Sequence, residues 1–223
     1  MPRTYLAQPP LALRPNLASG LWWKRPLDLA VGPILLLLAL PLILFLALVV
    51  MLESPGPAFF GQERVGYQGR RFRMWKLRTM LAGCDQAPHR RTVADWFRGQ
   101  AEPGNPYKTL ADTRITRVGH LLRLTNLDEL PQLFNVVRGD MSLVGPRPAI
   151  PYELPHYQAA YFDRLTVPPG ITVLWQVTDR DRLSADQMMQ LDLRYVREAS
   201  PWLDLKVLAM TGPALLASAV RGA

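Results

Sequence analysis

The sequence predicts a membrane-associated α/β protein that is mostly helical, with one proline-broken membrane helix, a short β-hairpin and interfacial amphipathic helices. Three observations predict it. The run Leu29 to Leu52 holds no charged or strongly polar side chain in 24 positions, enough to cross a hydrocarbon core as a straight helix. Phe72, Met74 and Lys76-Leu77 alternate with arginines, which suggests a hairpin with strands around Ala58 to Val65 and Arg71 to Leu77. Ile115, Val118, Leu121 and Leu122 share one helical face, with Arg114, Arg117 and Arg123 elsewhere, the pattern of a basic amphipathic helix.

At 223 residues the chain is one domain or two small ones, with ample length to bury a core. Its 49% hydrophobic content is ordinary, so the apolar residues are concentrated rather than abundant. The net charge of +8 calls for an anionic partner: nucleic acid, anionic lipid or a phosphorylated substrate. Arginine clusters beside the membrane segment favour the last two. A single Cys84 excludes an internal disulfide, and His89, His120 and His156 are too scattered for a zinc site. Gly66 and Gly69 lie in GYQG, which has neither the Walker nor the dinucleotide pattern.

In chain order, residues 1–20 form a proline-rich lead, with Pro2, Pro9, Pro10 and Pro15 among small and polar residues, suited to an extended tether. Trp22, Trp23, Lys24 and Arg25 then make an aromatic and basic collar of the kind found at a membrane interface. The apolar run is too long, and too far from a small-residue cleavage site, to read well as a secretory signal. Pro33 adjusts the entry, whereas Pro41 lies near the middle, where it removes an intrahelical hydrogen bond and predicts a kink. Basic residues crowd both flanks: Arg3, Arg14, Lys24 and Arg25 before, Arg64, Arg70, Arg71, Arg73, Lys76 and Arg78 after. Neither flank looks translocated, so a helix that dips in and returns fits as well as one that spans.

After the Ser54 to Pro57 break, the hairpin reads either as a basic sheet on anionic lipid or as a polyphosphate site lined by Lys76, Arg78 and Thr79. Leu81 to Asp112 is polar and irregular, an excursion rather than a site. Asn126 is expected to cap a second helix whose first turn carries Asp128 and Glu129, where the positive helix terminus favours carboxylates.

The stretch Thr125 to Pro148, TNLDELPQLFNVVRGDMSLVGPRP, organises the rest. It gathers Asp128, Glu129 and Asp140, the arginines Arg138 and Arg147, and the amides Asn126, Gln132 and Asn135. Neighbouring carboxylates hold a divalent metal or supply a nucleophile, and guanidinium forks match phosphate oxygens. A solvated amphipathic helix followed by a Gly/Pro loop would explain the same residues. Ser184 to Arg197 reads as a helix with Met188, Leu191, Leu193 and Tyr195 around Asp192, core and surface rather than chemistry. Trp202 to Val220 is too interrupted for a second span and suits interfacial helices.

KRPLD, a proline-broken hydrophobic helix, SPGPAFFGQERVG, FRMWKLRTM, LDELPQLFNVVRGDMSLVGPRP, PPGIT and LDLRYV follow one another in the order seen in the bacterial sugar transferases, the monotopic phosphoglycosyl transferases. The chain resembles that family from about Lys24 to Thr211. The resemblance implies transfer of a phosphosugar from a nucleotide diphosphate sugar, a UDP-sugar, to undecaprenyl phosphate, which starts a surface glycan or exopolysaccharide. It implies a re-entrant membrane helix (residues 21–53) and a catalytic domain (residues 54–223) on the cytoplasmic face of the bacterial inner membrane. Asp128 matches the nucleophile that would carry an aspartyl-phosphosugar intermediate. Magnesium is the implied cofactor, with Asp128 and Glu129 as the catalytic and metal-binding pair; whether Glu129 holds the metal or positions the acceptor stays open.

The candidate substrate-binding set is Lys76, Arg78, Thr79, Arg123, Gln132, Asn135, Arg138, Arg147 and Arg180. Arg147, held between Pro146 and Pro148, is the first choice for the diphosphate. The partners expected are the nucleotide-sugar donor, the polyprenyl phosphate acceptor and membrane lipid, with no nucleic acid; homo-oligomer formation is open. The chain departs from the family at Leu40-Pro41, where a Ser-Pro pair is usual, and at residues 173–179, where sugar choice would be altered. A non-catalytic, membrane-anchored partner in a glycan-assembly complex is the competing reading, against which the retained Asp128, Glu129 and Arg147 stand.

Overall fold

The computed structural model describes residues 20–85, 87–100, 112–178 and 183–221. The proline-rich lead, Arg180 and Asp179 fall outside these residues. Helix α1 (Lys24–Glu53) is assigned without interruption and carries both Pro33 and Pro41 inside it. It is the one helix among the described residues long and apolar enough to cross a membrane.

One stripe of α1 faces the rest of the protein: Lys24, Asp28, Gly32, Ile43, Ala47 and Val50 are buried, and Leu36 and Ala39 bridge the gap between them. Steps of three and four residues keep these side chains on one face. Most of the remaining leucines, Leu37, Leu38, Leu44, Leu48 and Leu52 among them, face outward together with Ile34 and Phe45. Gly32 lets α1 approach α4 (Gln132–Arg138) closely, since a Cβ there would sit 3.3 Å from Val136 Cγ1.

Both ends of α1 are tied to the same body. At the start, Lys24 Nζ is 2.7 Å from Asp204 Oδ2 and donates to the Val144 carbonyl at 2.7 Å, and Asp28 accepts from Ser142 Oγ and the Leu143 N–H. Arg25 caps the C-terminal carbonyls of α4 at Val136 and Val137. At the end, Arg78 donates to the carbonyls of Val50, Ser54 and Pro55, satisfying the last turn of α1. Glu53 Oε1 accepts from the Val118 N–H at the start of α3 (Arg117–Thr125).

Strands β1 (Phe59–Val65) and β2 (Arg71–Leu77) pair antiparallel, within one residue of the predicted hairpin. A second, parallel pair, β3 (Ser142–Val144) with β4 (Gly170–Thr172), was not anticipated. Three-residue strands show no alternation long enough to read. Their contact needs glycine: a Cβ on Gly170 would lie 2.1 Å from the Gly145 nitrogen.

The remaining α-helices among the described residues are α2 (Ala87–Phe97), α5 (Leu174–Thr178), α6 (Ala185–Glu198) and α7 (Pro201–Arg221). Helix α6 begins with a capping box, Ser184 with Gln187, close to where the sequence puts it. Asp192 is fully buried on α6 and faces Arg164 at 2.5 Å, so it belongs to the core as expected. The helix start at Asn126 is revised. Asn126 adopts the left-handed conformation (φ 60°) and ends α3; a 3₁₀ turn, Leu127–Glu129, then carries the carboxylate pair ahead of α4. Asparagine tolerates that conformation, so it serves here as a stop rather than as a side-chain cap.

Candidate active site

The hairpin, the Leu127–Glu129 turn, the Gly145–Pro148 loop, α2 and α5 enclose a cleft of about 520 Å³. The turn sets Asp128 in its wall with only 7% of its surface exposed, and leaves Glu129 more open. Lys76, near the end of β2, reaches across to both: its ammonium is 2.8 Å from Glu129 Oε1 and 3.9 Å from Asp128 Oδ2.

Among the described residues, six cationic side chains line this space, Arg64, Lys76, Arg78, Arg114, Arg123 and Arg147, against four carboxylates, Asp85, Asp112, Asp128 and Glu129. Arg123 donates from Nε to Thr79 Oγ1 at 2.9 Å. Burial pulls the Arg123 guanidinium below its usual pKa while Asp128 opposes the shift. Arg147 forms a 3.4 Å ion pair with the fully buried Glu153, and its carbonyl accepts from Arg164. Its loop is thus held from two sides, which sets the arginine in the cleft wall rather than on an open surface. Arg114 holds the Asp112 carboxyl at a pKa of about 2.

Lys76, Arg78, Thr79, Arg123, Arg147, Asp128 and Glu129 therefore come together as the sequence suggests. Arg78 does so while also closing the end of α1. Gln132, Asn135 and Arg138 do not line the cleft. Asn135 is fully buried and staples β2: its Oδ1 accepts from the Trp75 N–H and its Nδ2 donates to the Arg73 carbonyl. Arg138 is the exposed last residue of α4 and pairs with Asp140. Of the three, Asn135 is the one whose contacts tie the motif to β2.

The segment after Leu81, expected to be an excursion, instead supplies a wall. The Leu81 N–H donates to the Arg114 carbonyl, Met80 bridges Ile115, and Arg114 donates to the Asp85 carbonyl. These contacts carry Cys84, His89 and Thr92 to the cleft. His89 Nδ1 lies 2.6 Å from the Tyr152 hydroxyl, and burial, with Arg147 and Arg64 nearby, lowers its pKa to about 4. The hydrogen bonds that fold it back involve backbone carbonyls, which leave no mark in the sequence.

No cluster of three metal-ligating side chains occurs among the described residues. Magnesium commonly binds through one or two carboxylates and takes its other ligands from water and substrate phosphates. Asp128 and Glu129, adjacent and already facing the Lys76 cation, fit that donor set.

Fold and cleft together define a class: a body hung on a helix of membrane-crossing length, whose cationic cleft with paired carboxylates suits phosphate-bearing ligands. The chain belongs to the bacterial sugar transferase family, whose sequence profile matches residues 19–218. It is similar to the undecaprenyl-phosphate galactose phosphotransferase of Salmonella typhimurium, 38% identical over 92% of this chain and 43% of that protein. It is similar also to the UDP-glucose:undecaprenyl-phosphate glucose-1-phosphate transferase of Caulobacter vibrioides, 42% identical over 86% of this chain and 69% of that protein. The exopolysaccharide production protein ExoY of Rhizobium meliloti is 36% identical over 87% of this chain and 86% of its own length. The chain spans less than half the length of the Salmonella relative.

Proposed function

We propose that the chain transfers a sugar phosphate from a UDP-sugar to undecaprenyl phosphate and so initiates a surface glycan or exopolysaccharide. The observation that carries this reading is the buried Asp128 carboxylate beside Lys76 in the wall of a cationic cleft. The names of the Salmonella and Caulobacter relatives support it, one specifying galactose and the other glucose. The sugar here is taken to be a hexose of that kind.

In the first half-reaction an Asp128 oxygen attacks the sugar-bearing phosphorus, the bond from that phosphorus to the bridging oxygen breaks, and the nucleoside monophosphate leaves with the bonding electrons. In the second, a phosphate oxygen of the acceptor attacks the same phosphorus and returns the carboxylate. Arg147, Arg123 and Lys76 offset the charge that builds on the diphosphate. Asp128 and Glu129 would hold magnesium, which supplies Lewis-acid neutralisation of the phosphate oxygens when bound. The acceptor phosphate is already ionised, so neither step needs a strong base.

We infer further that α1 enters and leaves one leaflet, with the catalytic body on the cytoplasmic face of the inner membrane. Anchorage of its two ends, Lys24 to Asp204 and Glu53 to Val118, on one body supports this, as do the basic residues on both flanks. The test is nucleoside monophosphate release from a panel of UDP-sugars by detergent-solubilised protein with magnesium and undecaprenyl phosphate. Release from one donor, absent in Asp128→Asn together with the phosphosugar adduct on the Asp128 peptide, is expected; release that survives in Asp128→Asn would refute the nucleophile.

A further inference from the structure

The cleft is not uniformly charged. Strand residues two apart share a face, and one face of β1 brings Phe60, Gln62 and Arg64 to the cleft, from apolar to polar to cationic, with Phe59 adding to the lining at the apolar end. Phe60 pairs directly across the ladder with Lys76, the residue bonded to Glu129 and 3.9 Å from Asp128. Directly opposed residues keep their Cβ atoms about 5 Å apart. An aromatic ring that is 42% exposed therefore stands beside the centre of the charged cluster. Pro57 and Leu81 extend the same apolar wall, with Leu81 52% exposed, at the end of the cleft where the chain emerges from α1.

Nothing in a nucleotide sugar beyond its base calls for such a surface, and the donor's diphosphate and sugar are matched by the polar end. The acceptor is different: an anionic head joined directly to an apolar chain. We propose that Phe60, with Pro57 and Leu81, seats the first isoprene units of the polyprenyl phosphate, with the acceptor phosphate directed at Lys76 and the Asp128 adduct. This rests on the transferase reading above, and assigns the acceptor's place within it. The apolar wall borders the exit of the membrane-length helix, so the lipid tail continues toward the helix's outward-facing leucines without crossing the cationic floor.

A two-step reaction allows the two substrates to be read apart. Phe60→Ala and Phe60→Leu are compared with wild type in detergent with magnesium. Stoichiometric monophosphate release without acceptor reads the donor half, and product formation with undecaprenyl phosphate reads the acceptor half. Phe60→Ala should leave the donor half unchanged and raise the acceptor KM about tenfold, a loss in line with exposing one apolar contact. Phe60→Leu should recover most of it. A parallel fall in the donor half would assign Phe60 to the nucleotide, and an unchanged acceptor KM would leave it outside both substrates; either overturns the proposal. Crosslinking of a photoreactive polyprenyl phosphate is independent of turnover. Label on the peptides holding Phe60 and Leu81 is expected even if no tested donor is used, and label confined to other segments overturns the assignment.

Discussion

The Lys24 ammonium and the Asp204 carboxylate meet at 2.7 Å inside the protein, each side chain only 2% exposed. The pair joins the first turn of α1 to α7, and the Tyr195 hydroxyl completes it by donating to the other Asp204 oxygen at 2.6 Å. Removing one partner of a buried pair strands the other charge, at a cost of about 3–5 kcal/mol. Asp204→Asn and Lys24→Met should each lower the thermal unfolding midpoint in detergent markedly. Replacing both with apolar residues should recover most of the loss, and an additive double replacement would show that the two do not act as a pair.

Lys76 pairs with Glu129 at 2.8 Å and lies 3.9 Å from Asp128. Lys76→Met should reduce kcat by about 10²-fold or more, the scale for losing one preorganised charge at a reacting group. Folded yield should hold, because the Lys76 side chain is partly open to the cleft. A variant with normal kcat would exclude Lys76 from the phosphate-transfer step.

His89 carries a pKa near 4 in the folded protein, held down first by burial and then by Arg147 and Arg64. An unfolded histidine titrates near 6.5. Between these values the unfolded chain binds more protons, so stability rises with pH across that window and falls as pH drops through it. Wild type should therefore lose stability relative to His89→Gln as pH is lowered from about 6.5 to 4. Denaturant unfolding of both proteins at several pH values measures the difference directly, and parallel curves would refute it.

Gly170 and Gly212 make a contrasting pair. A Cβ at Gly170 would fall 2.1 Å from the Gly145 nitrogen, backbone against backbone, whereas nothing lies within 4 Å of one at Gly212 in α7. Gly170→Ala should part β3 from β4, displace the Arg147 loop and cost both folded yield and activity. Gly212→Ala should be neutral or stabilising by about 0.5–1 kcal/mol, since alanine loses less backbone entropy in a helix. Thermal melts of the two variants decide this.

The sequence was most informative where local pattern governs structure. The β1–β2 hairpin, α6 with its capping box and the apolar α1 lie near their expected positions because alternation, caps and apolar runs are properties of neighbouring residues. Asp128, Glu129, Lys76 and Arg147 were legible as a candidate set through the resemblance to the bacterial sugar transferases, since their charge pattern alone also fitted a solvated helix and loop. Asn135 was not: whether a buried amide meets a ligand or the Arg73 and Trp75 backbone depends on a strand about 60 positions away. The His89 wall and the β3–β4 pair were hidden for the same reason, since long-range backbone contacts assemble them.

The attachment of α1 at both ends bears on how a lipid finds this cleft. In a bilayer, a body fastened at Lys24 and again at Ser54 and Pro55 by Arg78 can neither swing on a tether nor lift away from the surface. Its cleft keeps one height and one tilt relative to the head groups. If the chain is the one-leaflet transferase proposed above, its polyprenyl phosphate acceptor reaches that cleft by lateral diffusion in two dimensions, head first and from the same side.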